Sequence, residues 1–212
     1  MDNVTKAWIG PLPPDSQYLK PYRMYYVQNG VEKNWDLLKV HDSVAIIIYN
    51  AERKKLVFVR QFRPAVFHDI VYSSGGSLKE VDLEKFSPQL GITTEMCAGI
   101  VDKKKSWVEI AREEVLEECG YDVCVDRLEE VLTYRAGVGS HGATQKMYYC
   151  EVTDADKSES GGGVDDEVIE VMEHSLEEAK RMICAGATNN SPPGCLLGIL
   201  WFFMNKAPKE ES

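Results

Sequence analysis

Glu114, Glu117 and Glu118 stand close together in a stretch that carries no basic residue between Glu113 and Glu118. On a helix, at about 100° per residue, they fall within an arc of roughly 100°, beside the apolar Ala111 and Val115. Three carboxylates would then converge on one edge. Like charges at such spacings destabilise a helix by roughly a few tenths of a kcal/mol per pair. A hard divalent cation, which prefers oxygen ligands, would relieve the repulsion. The plainer explanation of any glutamate cluster is a solvated acidic face, so the surrounding pattern has to decide between the two.

The helix itself is well marked. Ser106 followed three residues later by Glu109 is a capping box, and Gly120 supplies a stop after an unbroken run of helix formers. The spacing predicts a helix from Trp107 to Cys119. Around it, 212 residues with 44% apolar and 27% charged content can bury a sizeable core, as one domain or one domain plus an arm. The net charge of -10 argues against nonspecific nucleic-acid binding and would repel an anionic phosphate substrate unless cations intervene. The six cysteines form no C-x-x-C pair, so neither a disulfide framework nor a zinc site is expected. The apolar stretch Cys195 to Met204 is about half of the roughly 20 residues a membrane span needs, and reads as a buried helix. With no secretory signal evident, a cytoplasmic address is expected.

Along the chain, Asn29-Gly30 between Tyr22–Val27 and Val31–Leu38 predicts a hairpin. Val44–Tyr49 and Leu56–Phe62, rich in β-branched and aromatic residues, predict a second, closed by Pro64. Residues 68–93 lack sustained periodicity and read as a long loop, with an insertion from Tyr72 to Thr93. Val131–Tyr134 and Gln145–Val152 are strand candidates flanking the glycine-bearing loop Gly137–Gly142. Gly161-Gly162-Gly163 opens an acidic loop, and helices are expected over Leu176–Ala185 and Gly194–Asn205.

The pattern that decides for metal chemistry spans Gly99 to Tyr121. With Gly99, Glu114, Val115, Glu117, Glu118, Gly120 and Tyr121 at the required offsets, it resembles the Nudix box, G-x5-E-x7-R-E-U-x-E-E-x-G-U with U apolar. Gln61-Phe62-Arg63-Pro64 and Glu95-Met96-Cys97-Ala98-Gly99 resemble the motifs that precede the box in the ADP-ribose and UDP-sugar pyrophosphatase branch. Asn34-Trp35-Asp36, His41-Asp42-Ser43-Val44 and the triple glycine are similar to the UDP-sugar side of that branch. The loop Ala136–His141 lacks the proline and glutamate typical of the ADP-ribose side.

The resemblance implies an α/β fold, a Nudix α/β/α sandwich with a mixed β-sheet and an N-terminal β-hairpin arm. Residues 1–40 would be the arm, dimerising, and 41–212 the hydrolase domain, giving a homodimer. It also implies that the Ala98 carbonyl, Glu114 and Glu118 hold magnesium, with manganese as a substitute. Glu117 would be a catalytic residue and a further ligand or through-water contact. Glu167, in the loop Asp165-Asp166-Glu167, would be a general base or another metal contact. Arg63 would contact substrate phosphate, against the plainer alternative of an ordinary salt bridge. The implied reaction is hydrolysis of UDP-glucose to UMP and glucose 1-phosphate, with ADP-ribose hydrolysis or a catalytically silent nucleotide-binding module as alternatives.

Two positions depart from the box: Lys105 stands at its first glutamate and Glu113 at its arginine. Both reverse charge, which predicts a loop-to-helix ion pair with its polarity exchanged, worth at most about 1 kcal/mol if exposed. Lys105→Glu alone is expected to lower the melting temperature, and Lys105→Glu with Glu113→Arg to restore it. Equal melting of the two variants would contradict the pairing.

Overall fold

Asn29 and Gly30 both take left-handed backbone, with φ of 55° and 77°, and the turn they make suits the twist of the strands it joins. These strands, β1 (Lys20–Gln28) and β2 (Val31–Lys39), pair antiparallel from Lys20↔Lys39 to Gln28↔Val31 as a separate two-stranded ribbon. Trp35 Nε1 donates to the Gly139 carbonyl and the Leu38 amide to the Ser140 carbonyl, both at 2.8 Å, which ties the ribbon to the rest of the chain. The computed structural model describes residues 4–16, 19–77, 79–164, 166–184, 186 and 189–208.

The elements that follow are β3 (Ser43–Asn50), β4 (Lys55–Phe62), α1 (Pro64–Ser73), β5 (Ile92–Glu95), β6 (Cys97–Ile100), α2 (Trp107–Cys119), β7 (Glu129–Arg135), β8 (Thr144–Val152), β9 (Ile169–Ser175), α3 (Leu176–Met182) and α4 (Pro193–Asn205). Among the described residues, seven of the strands form one mixed sheet in which β3 and β8 are parallel and the other pairs antiparallel.

The hairpin of β3 and β4 is paired only near its turn, over Ile48↔Val57, Tyr49↔Leu56 and Asn50↔Lys55. Beyond those residues the two strands diverge, because β6 pairs with β3 from Ser43↔Ile100 to Ile46↔Cys97 and β5 pairs with β4 from Val59↔Glu95 to Phe62↔Ile92. A strand has two hydrogen-bonding edges, and β9 occupies the outer edge of β4. The segment Ile92–Ile100 therefore fills the opening between the arms of the hairpin. Glu95 and Ala98 lie in that wedge.

Alternation along β3 splits the core into two layers. Val44, Ile46 and Ile48 pack with Ile110, Ala111, Val115 and Cys119 of α2. Ile47 and Tyr49 pack on the other face with Ile199 and Phe202 of α4 and Ala179 of α3. Full burial of a side chain such as Phe202 contributes about 1.5–3 kcal/mol. The architecture is thus the expected α/β/α sandwich, with α2 against the centre of the sheet.

Three expectations need correction. Residues 68–93 are not one loop: α1 extends through Ser73, and after a 3-10 turn at Pro88–Gly91 the strand β5 begins at Ile92. Pro64 closes β4 and also opens α1, whose Phe67 and Val71, four residues apart, are buried with Phe86. The acidic segment after the triple glycine contains β9, in which Ile169 and Val171 pack on the α2 layer. The helix expected over Leu176–Ala185 ends at Met182, and Ala185 lies outside the described residues. No helix among the described residues is long and apolar enough to cross a membrane.

Candidate active site

Helix α2 is held at both ends. The Ser106 amide donates to the Glu109 carboxylate at 2.8 Å while the Glu109 amide donates to Ser106 Oγ at 3.4 Å, completing the capping box. At the other end Gly120 takes the left-handed conformation, φ 71°, and donates to the Leu116 carbonyl. The carbonyls of Glu117 and Glu118 accept from the Gly163 and Gly162 amides at 3.0 and 2.9 Å. Gly161, at φ 72°, passes so close to the Glu118 carbonyl that a side chain there would overlap it. The triple glycine thus caps the helix and carries its chain onward to Glu167.

With Ile110, Ala111, Val115 and Cys119 turned into the core, the rotation of α2 is fixed and Glu114 and Glu118 face the wedge. Gly99 makes room for this, since a methyl group there would overlap the Glu114 carboxylate. Glu118 is 5% exposed and accepts from the Ala98 amide at 3.0 Å. A cavity of about 520 Å³ opens at this point, with Glu114, Glu118, Glu167, Arg63, Ala98 and Gly99 in its wall. Its size suits a small-molecule ligand. Glu117 belongs to the same helix edge but does not line the cavity; Asp165 lies outside the described residues.

Arg63 is gripped by Glu95 through two parallel hydrogen bonds, Nε to Oε1 at 2.6 Å and Nη2 to Oε2 at 2.7 Å. Thr93 Oγ1 adds a third contact to Glu95, at 2.6 Å. Burial alone would push the Glu95 carboxyl up, but Arg63 and Thr93 outweigh it and hold the group below its ordinary range. The expected arginine is therefore both a salt-bridge partner and a wall of the cavity: its fork is fixed from behind and its charge is presented in front.

The sequence is 41% identical to the uridine diphosphate glucose pyrophosphatase NUDT14 of Mus musculus, over 98% of each chain. It is 40% identical to the Bos taurus protein of the same name over 91% of each chain. A GDP-mannose pyrophosphatase of Klebsiella pneumoniae is 31% identical over 75% of this chain and 70% of its own. No family model matches. This chain belongs to the Nudix hydrolase family.

The two departures from the Nudix box now have a structural account. Lys105 Nζ is hydrogen-bonded to Glu113 Oε1, and Lys103 Nζ approaches Glu113 Oε2 at 3.6 Å. The hydrogen bond and charge of Lys105 lead in holding the Glu113 carboxyl below its ordinary range. The loop-to-helix pair of the Nudix box is thus present with its charges exchanged. Lys103 also lies within electrostatic range of Glu117 and Glu114.

The Nudix carboxylates fit a divalent cation by the chemistry of their donors. Burial, reinforced by Glu117 and Glu167 and only partly offset by Lys103, pushes the Glu114 carboxyl up to about 7. Glu118 is pushed up to about 8 by burial and the charges of Glu114 and Glu167, against the Ala98 amide. Two oxygen-donor groups held against their charged forms, with Lys103 and Arg63 offsetting their charge only in part, suit a hard cation. Among the described residues, no three His, Cys, Asp or Glu side chains are already drawn together to hold an ion.

Sequence reasoning gave Glu95 no role, and no spacing rule links it to Arg63, 32 residues away. The structure also brings Ser43, Gln61 and Gln145 into the cavity wall, from positions where each reads as an ordinary strand residue.

The raised carboxyls fix a sign for pH dependence. Both titrate near the ordinary carboxylate value in the unfolded chain, so above it the folded state binds more protons, and stability falls as pH rises through about 7 and 8. In chelator, the protein is expected to melt at a lower temperature at pH 8.5 than at pH 7, with the difference reduced in Glu118→Gln. Added magnesium should raise the melting temperature more at pH 8.5. Differential scanning fluorimetry checks this, and a metal-free melting temperature that rises with pH would contradict it.

Proposed function

We propose that this Nudix hydrolase splits the diphosphate of nucleoside-diphosphate sugars, with UDP-glucose yielding UMP and glucose 1-phosphate. The observation that carries the proposal is the cavity that faces Glu114, Glu118 and Glu167 on one side and the braced Arg63 on another. Near-full-length similarity to uridine diphosphate glucose pyrophosphatases supports the choice of base and sugar. The GDP-mannose pyrophosphatase relatives support the broader substrate class.

Magnesium, or manganese in its place, would be held by Glu114, Glu118 and the Ala98 carbonyl, with Glu117 and Glu167 as further contacts. When bound, the ion supplies neutralisation of charge on the diphosphate and polarises water. The chain's own residues do the rest. Arg63 keeps its planar fork aligned because Glu95 takes two of its donors, leaving Nη1 and the guanidinium charge for a phosphate oxygen. Glu167 sits on an exposed loop where a side chain at Gly163 would overlap its own and the Val164 amide donates to its Oε2 at 3.1 Å. That position suits a base that takes a proton from water and releases it to solvent.

The ribbon supports a homodimer. Tyr22, Tyr25, Val27 and Trp35 are each more than half exposed on it, and a two-stranded ribbon with open apolar faces gains stability by packing on a partner. Unpaired cysteines support a reducing, cytoplasmic location. The charge reversal at Lys105 and Glu113 motivates a silent module, but the preserved ion pair and intact carboxylates argue for an enzyme.

Purified protein incubated with UDP-glucose or ADP-ribose, in magnesium or in chelator, tests the proposal. UMP formation from UDP-glucose is expected to require magnesium and to fall at least on the order of 100-fold in Glu118→Gln. Faster ADP-ribose turnover would move the enzyme to the other side of the branch. No turnover of either would overturn the enzymatic reading.

A further inference from the structure

Part of the cavity wall comes from the sheet strands rather than from the carboxylates. Ser43, Gln145 and Tyr134 stand side by side on β3, β8 and β7: Ser43 is opposite Gln145 in the parallel pairing and Gln145 opposite Tyr134 in the antiparallel one. Their side chains form one row of hydrogen bonds. Tyr134 Oη is hydrogen-bonded to Gln145 Oε1, and Gln145 Nε2 donates to Ser43 Oγ at 2.9 Å. The Asp42 carboxylate accepts the Thr144 amide at 2.7 Å, which pins the start of the parallel pair.

The direction of this row matters. Burial pushes the Tyr134 hydroxyl up to about 12, so it remains a neutral donor to the Gln145 carbonyl oxygen. In this orientation Gln145 Nε2 points at Ser43, whose oxygen accepts, so the Ser43 hydroxyl hydrogen and the second Gln145 N–H remain to be given. Both residues line the cavity. Gly194 of α4 closes the row from above, since a side chain there would meet Tyr134 Oη and come within 2.8 Å of Gln145 Oε1. The amide is thus locked in orientation on both sides.

This wall carries neutral donors and acceptors, and among the described residues none that lines the cavity is aromatic. A nucleobase is typically held by stacking on a ring, which the wall does not offer. Sugar hydroxyls are read by fixed amide and hydroxyl groups. We propose that Ser43 and Gln145 are specificity-determining residues that hydrogen-bond the sugar of the nucleoside-diphosphate sugar, and that Tyr134 is a positioning residue that sets the Gln145 amide. The proposal rests on the nucleoside-diphosphate-sugar reading above. A site built around hydrogen bonds to a hydroxyl discriminates strongly against a misplaced one, because its own buried polar groups are then left unpaired.

The test compares kcat/KM for UDP-glucose, its epimer UDP-galactose and CDP-glucose, in wild type, Ser43→Ala, Gln145→Leu and Tyr134→Phe, with melting temperatures to confirm folding. The ratio of UDP-glucose to UDP-galactose is expected to shrink by about tenfold in Gln145→Leu and in the same direction in the other two. The ratio of UDP-glucose to CDP-glucose should stay constant. A change in the base ratio with an unchanged epimer ratio would assign the wall to the base and overturn the proposal, as would an equal loss on all three substrates. Wild-type protein that hydrolyses ADP-ribose but no nucleoside-diphosphate sugar would remove the reading beneath it, an outcome distinct from either.

Discussion

Glu118 is a carboxylate in the interior, with the Ala98 amide as its backbone hydrogen-bond donor and with Glu114 and Glu167 close enough to raise its pKa. Removing a charge from water without a counter-ion is costly, and the group responds by holding its proton. The rest of the site can be read as what keeps Glu118 and Glu114 in that position. The apolar stripe of α2 fixes its rotation, Gly99 clears the space that Glu114 occupies, and the triple glycine binds the carbonyls at the helix end. An acidic protein that gathers carboxylates where an anionic substrate must enter needs cations to admit it.

Two features supply positive charge from the chain itself. Arg63 is set into the cavity wall by a buried Glu95, a further carboxylate that fixes the orientation of one guanidinium. Lys103 and Lys105 converge on Glu113 at the entrance to α2. The splay of β3 and β4 makes the first possible, because the inserted strands bring Glu95 and Ala98 into the cavity wall.

Much of this was legible in the residues. The capping box, the glycine stop and the helical spacing of the glutamates fixed α2, and the Asn-Gly turn and the β-branched runs fixed the two hairpins. The charge exchange at Lys105 and Glu113 could be read as a pair because both positions belong to one local motif. What escaped was either short or non-local. β5 and β6 have four residues each, too few for periodicity to register. β9 alternates acidic with apolar residues after a glycine cluster and reads as loop. α1 was hidden by Pro64, which ends one element and starts the next. The Arg63–Glu95 brace and the Ser43–Gln145–Tyr134 row join residues on different strands, and only the sheet register brings them together.

The central claim is that Glu114 and Glu118 hold protons near neutrality that a divalent cation displaces. Proton release on adding magnesium to metal-free protein in weak buffer at pH 7.5 tests it most directly. Groups at about 7 and about 8 predict release of about one proton per chain at saturation, smaller at pH 9 and reduced in Glu118→Gln. Magnesium binding at pH 7.5 with no proton released would contradict the account.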